Sequence, residues 1–149
     1  MQVIGFNFTK LHAEKSPNVQ TRGRNYNIEY IDVKKEEIDI LKDLEAINLS
    51  FKYTLTYGEP EKSDNTKIKE KQGEIFFEGI VKISTTKEEA KEFQKSWKKK
   101  QIPESAVINI NNFILRRCSI KSVLLHDEIG LSDPHLRIPQ LQSSNEKSQ

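Results

Sequence analysis

Residues 73–130, GEIFFEGIVKISTTKEEAKEFQKSWKKKQIPESAVININNFILRRCSIKSVLLHDEIG, carry one strand pattern and two helix patterns end to end. Ile75, Phe77, Gly79, Val81 and Ile83 alternate on one side of a strand, with Phe76 and Ile80 facing the other way. Thr86 and Glu89 then have the spacing of a capping box, which satisfies free amide donors at a helix start. Ala90, Phe93 and Trp97 follow at helical spacing, and Lys98, Lys99 and Lys100 close that helix at its carbonyl end. Pro103 breaks the pattern and suits the first turn of a second helix. That helix is expected to bury Val107, Ile110, Ile114, Cys118 and Leu125, flanked by Ala106, Phe113, Leu115, Val123 and Leu124, and to end at Gly130 as its cap.

Working outward, residues 47–57, INLSFKYTLTY, set Ile47, Leu49, Phe51, Tyr53, Leu55 and Tyr57 at strict alternation. At about 1.5–3 kcal/mol per large apolar side chain buried, this face is the main source of the core, and a one-residue slip would expose it whole. The charged loop GEPEKSDNT, residues 58–66, joins it to the following strand as a long hairpin. Near the N-terminus Ile4, Phe6 and Phe8 alternate, and residues 14–25 read as a basic loop carrying Arg22 and Arg24. Tyr26, Ile28 and Tyr30 resume the alternation, while Ile31 and Val33 shift it by one, the mark of a bulge or strong twist. Residues 34–46 are ambiguous: Ile38, Leu41 and Glu45 fit a short amphipathic helix, Ile38 and Ile40 a strand, and an irregular connection is favoured. After Gly130, LSDPHLRIPQL suits an extended arm, and residues 142–149 a disordered polar tail.

The order is four strands and then two helices, an α+β fold with a four-stranded antiparallel sheet, in one domain over residues 1–141. Phe76 and Ile80 on the outward side suggest more apolar sheet than two helices cover, so a homo-oligomer, dimer or tetramer, is expected. The N-terminus alternates instead of forming an apolar run, and no stretch approaches the roughly 20 apolar residues of a membrane span. A cytoplasmic location without membrane insertion is the resulting expectation. With a net charge of +2, bulk charge gives no case for nucleic acid.

Catalytic equipment is sparse. The glycines are dispersed, with no phosphate-binding loop, and His12, His126 and His135 lack metal-ligand spacing and read as surface or capping residues. Cys118 is either a thiolate favoured by Arg117 or, the preferred reading, a buried structural thiol. No catalytic, metal or cofactor-binding residues are assigned, and the chain reads as a non-enzyme. Arg22, Arg24, Lys98, Lys99, Lys100, Arg116 and Arg117 either converge into a polyanion-binding patch or form separate solvated surfaces. The lack of interleaved exposed aromatics favours the latter. Tyr26, Tyr30, Tyr53, Tyr57, Phe76 and Ile80 are either core and subunit interface or line a groove for extended, unfolded polypeptide.

The layout resembles the SecB-type protein-export chaperones. The similar segments are FNFTKLHAE, NYNIEYIDV, the INLSFKYTLTYG to GEIFFEGIVKIS hairpin, and a long helix, a glycine and the proline-bearing LSDPHLRIPQL, together about residues 3–141. The resemblance implies a tetramer built from dimers, whose hydrophobic grooves hold unfolded or nascent polypeptide. By position, Phe6, Phe8, Tyr26, Tyr30, Phe76 and Ile80 are the candidates for groove and interface. The chain departs from the family in being slightly basic, and SSNEKSQ lacks the cysteine-bearing metal tail of many members. A nucleic-acid- or ribosome-associated adaptor is the alternative, and an enzyme assembled from scattered residues comes third.

Overall fold

The computed structural model describes residues 1–17, 23–37, 43–60 and 68–131. Four strands, β1 (Gln2–Lys15), β2 (Gly23–Glu37), β3 (Leu44–Pro60) and β4 (Ile68–Thr86), precede two helices, α1 (Lys87–Trp97) and α2 (Glu104–Ile129). The strands form one antiparallel sheet in the order β1-β4-β3-β2, so the first two strands lie on opposite edges. The α+β arrangement is the one expected from the sequence.

β3 and β4 pair without interruption from Leu44 opposite Thr86 to Tyr57 opposite Gly73. Ile47, Leu49, Phe51, Tyr53, Leu55 and Tyr57 therefore lie beside Ile75, Phe77, Val81 and Ile83, and all ten are buried. Both strands run further than the alternation alone suggested: β3 continues to Pro60, inside the expected loop of residues 58–66, and β4 begins at Ile68, ahead of the alternation that starts at Ile75. Glu45 lies in β3, not in a helix, paired with Lys35 at 2.7 Å, while Ile38, Ile40 and Leu41 fall outside the described residues. So do Arg22, His135, and the arm and tail beyond Leu131.

The edge strands are irregular. In β2 the register shifts between Tyr30 and Asp32, where the sequence placed a bulge. In β1 it shifts between Val3 and Gly5 and again between Phe8 and Lys10. The expected Ile4–Phe6–Phe8 face is corrected by the first shift: Val3, opposite Ile83, shares the core side with Phe6 and Phe8, and Ile4 is exposed.

Gly79 sits where β4 must let an aromatic ring pass. A Cβ there would lie 2.8 Å from the Phe51 Cζ and 2.6 Å from the Asn7 carbonyl oxygen. Its absence lets Phe51 lie across β4 and stack on Phe6 at 5.7 Å.

Both helices cover one face of the sheet. α1 opens with the expected capping box: the Glu89 amide donates to the Thr86 hydroxyl, and the Thr86 amide to the Glu89 carboxylate. That backbone hydrogen bond from Thr86 is the main reason the Glu89 carboxyl is held below the usual carboxylate range. α1 buries Ala90 and Phe93 over β2, β3 and β4. Pro103 stands at the N-cap of α2, and Gly130 ends it in the left-handed conformation, φ 70°. The buried side of α2 differs from expectation: it comprises Ala106, Ile110, Ile114, Cys118, Ser122 and His126, at every fourth position. Val107 and Leu125 are half-buried and Leu124 is exposed.

Two outcomes are expected. Gly79→Ala inserts a methyl group against a ring and a carbonyl, and lowers stability by about 1–3 kcal/mol, read as a lower denaturation midpoint with an unchanged m-value. Glu89→Gln destabilises the protein at neutral pH. Because the folded Glu89 value is depressed, its contribution is present above the ordinary glutamate range and is lost as pH falls through the lowered value. The melting temperatures of parent and variant therefore converge in acid.

Candidate functional site

The margin where β1 passes under α2 gathers the largest half-buried aromatic cluster. Phe6 meets Phe8 edge-to-face at 4.9 Å and Phe113 of α2 at 5.7 Å, and Phe8 meets Phe77 at 5.5 Å. The Arg117 guanidinium lies over both Phe6, at 5.7 Å, and Phe113, at 5.5 Å. Leu11, opposite Phe77, extends this row and is 45% exposed. Among the described residues no strand pairs with the outer edge of β1, so one row of its backbone donors and acceptors faces outward beside the rings.

Leu11 and Phe113 are not among the candidate binding residues read from the sequence, and Arg117 is there only as a candidate for polyanion binding. The signal for Leu11 was present in the chain: Val3, Phe6, Phe8, Leu11 and Ala13 advance by three, two, three and two residues, and each step of three carries a bulge. Tyr30 to Val33 in β2 shows the same step.

On the opposite margin Tyr26 is 59% exposed and lies opposite Leu55. Tyr30 is half-buried, its hydroxyl hydrogen-bonded to the Asn111 side-chain oxygen, and burial pushes its pKa up. Tyr30 thus ties the β2 edge to α2. Ile31, at the bulge, is exposed.

The helix-free face carries Phe76 and Ile80, as the alternation required, and both are half-buried. Phe76 is covered from within the chain. His12 stacks on its ring at 4.6 Å, and the Lys52 and Lys10 ammonium groups sit 4.5 and 5.3 Å from its centroid. One row across this face reads Lys10, Glu78, Lys52, Glu29, alternating in sign. Lys82 pairs with Glu36 at 2.9 Å, and this hydrogen bond is the first cause holding the Glu36 carboxyl low. Such a mosaic offers a polyanion no continuous positive surface.

The basic residues belong to different elements. Lys98, Lys99 and Lys100 lie in the turn after α1, with Lys100 over the Trp97 ring at 4.7 Å. Arg116 lies about 18 Å along the axis of α2 from its first residue, taking the usual rise per residue. Arg24 lies in β2, with its side chain outside the described atoms, as is the whole of Arg22.

Cys118 is buried against the core, and burial pushes its thiol up to about 12, as the structural reading required. The surface-or-capping expectation for His126 is overturned: it is buried, with Nε2 hydrogen-bonded to the Tyr57 hydroxyl. Only its carbonyl caps, accepting from the Leu131 amide at 2.8 Å. Among the described residues no helix is long and apolar enough to cross a membrane.

No protein-family model matches the chain, and no curated protein matches it. Among solved structures it is similar to a SecB-like chaperone of Mycobacterium tuberculosis, in complex with a ChAD peptide from the HigA1 antitoxin. Identity is 11%, coverage 95% of this chain and 92% of that one, and the TM-score 0.40.

Cys118 provides a check on the buried reading. A thiol with so high a pKa and no solvent access resists alkylation in the native state and reacts at an ordinary rate once the chain is unfolded in denaturant. The measurement is the time course of a thiol-specific chromophore with and without denaturant.

Proposed function

We propose that this protein is a non-enzymatic, chaperone-like binder of unfolded or nascent polypeptide, which it takes along the β1 margin. The observation that supports this reading is the coincidence of an unpaired strand edge with the aromatic row of Phe6, Phe8 and Phe113 and the exposed Leu11. An extended chain laid against β1 gains main-chain hydrogen bonds irrespective of sequence. Alternate side chains of that chain then meet the ring cluster and Arg117, which favours apolar and aromatic residues. Breadth of client choice follows, because most of the contact is backbone.

The bulges of β1 set a limit on this pairing. They break the edge into short regular runs, which blunts indiscriminate sheet-to-sheet association. The run Lys10–Lys15 is regular and contains Leu11. Self-association into a dimer or tetramer belongs to the same reading. Ile108, Ile120 and Leu124, 57–68% exposed, form an apolar outer ridge on α2 that no described element covers.

Leu11→Asp is the decisive variant, since Leu11 is half in water and outside the core cluster. With its melting temperature unchanged, it weakens binding of a reduced, unfolded model protein by about tenfold, equivalent to roughly 1.4 kcal/mol. Tyr26→Asp, on the opposite margin, leaves binding unchanged. Equal affinity of the Leu11 variant and the parent, measured by fluorescence anisotropy and by suppression of aggregation, defeats the proposal. Light scattering coupled to gel filtration gives the oligomeric mass.

A further inference from the structure

On the helix-free face, where the end of β1 meets the beginning of β4, His12, Glu14 and Glu74 converge. One ligand atom from each can be chosen so that all three lie within 4.8 Å of one another. Strand register brings them together: Glu14 stands directly opposite Glu74, and His12, two positions earlier on the same side, stands opposite Phe76. Nothing in the chain's linear spacing announces this group, because its members come from the first and the last strand.

Two carboxylates facing each other across an antiparallel ladder repel unless a cation lies between them. Lys71 supplies one: its ammonium is 2.5 Å from Glu74 Oε2 and 3.9 Å from Glu14 Oε1. The glutamates therefore already hold a positive charge, on a flexible stem that is half exposed. The imidazole distinguishes this group from an ordinary surface ion pair. Its ring lies nearly flat on Phe76, with an interplanar angle of 20°, which limits its rotation. Its Nε2 is held 3.4 Å from Glu14 Oε2.

That distance fits a shared ion as well as a direct ion pair. A tetrahedral ion with bonds of about 2.0–2.1 Å to nitrogen and oxygen spaces its ligand atoms roughly 3.4 Å apart. The His12–Glu14 pair already has that spacing, and the chosen Glu74 oxygen lies within 4.8 Å of both. A hollow of about 390 Å³, lined by Glu14, Lys15, Ser16, Lys71, Gln72 and Gly73, adjoins the group at Glu14. One imidazole and two carboxylates suit zinc. Magnesium and calcium require six or more oxygen ligands.

We infer that His12, Glu14 and Glu74 form a binding site for a divalent ion of the zinc class, with Lys71 as its intramolecular competitor. The bound ion ties the outer end of the edge strand β1 to β4. This inference does not rest on polypeptide binding and stands or falls apart from it.

The test is calorimetric titration of the metal-free full-length chain with zinc chloride and, separately, magnesium chloride, with melting temperatures recorded alongside. Zinc binds one to one and raises the melting temperature, as any ligand selective for the folded state does, whereas magnesium does neither. Glu74→Gln preserves side-chain shape and weakens zinc binding at least tenfold; His12→Ala abolishes it. Lys71→Met removes the competitor and tightens zinc binding severalfold, a gain that a structural salt bridge does not predict. Absence of zinc binding by the parent, unchanged affinity in His12→Ala, or weaker binding in Lys71→Met each overturns the inference.

Discussion

The unbroken pairing of β3 with β4 is the constraint to which the rest of the molecule is fitted. From Leu44 to Tyr57 each residue of β3 has a fixed partner in β4, so the two strands present one continuous apolar face. A slip by one position would turn every large side chain of β3 toward the helix-free side. Irregularity is pushed to the edge strands, where β1 carries two register shifts and β2 one, and to the far end of the β3–β4 hairpin, where the register shifts after Tyr57 and again after Glu59. The same division sorts the large apolar side chains. The inner strands hold the core, and the outer strands carry Leu11, Tyr26 and Ile31, which that core does not absorb.

The two faces of the sheet handle aromatic side chains by different means. Under the helices, rings pack on rings, and Gly79 gives up its side chain so that Phe51 can reach Phe6. On the open face Phe76 meets no phenylalanine ring among the described residues and is sheltered by His12 and two lysines. A flanking cation with a long aliphatic stem shields an aromatic ring while its charge stays hydrated. The half-burial of Phe76 thus has a local explanation within the chain.

How much of this could be read from the chain depended on the distance between the residues concerned. The β3 alternation, the Thr86–Glu89 box, the bulge after Tyr30 and the Gly130 cap are local patterns, and all are found where the sequence put them. Spacing also encoded the β1 bulges, but Ile4 has the size and period of a strand residue and masked the first of them. Contacts that depend on strand order were not legible. The pairing of β1 with β4 brings His12 to Glu74 and Phe76, and the path of α2 along the sheet brings His126 to Tyr57. No window of sequence contains either pair.

The fourfold spacing of the buried residues on α2 has a geometric consequence. At about 100° per residue, each step of four overshoots a full turn by roughly 40°, so five steps from Ala106 to His126 sweep about 200° around the axis. The inward side of the helix at its start is nearly its outward side at its finish. A helical wheel drawn for the whole element smears this spiral into a ring without sides, which hides the burial of His126 from a reading of the sequence. Sliding such a helix along its axis would require it to rotate as a screw does in its thread, and that coupling resists simple translation over the sheet.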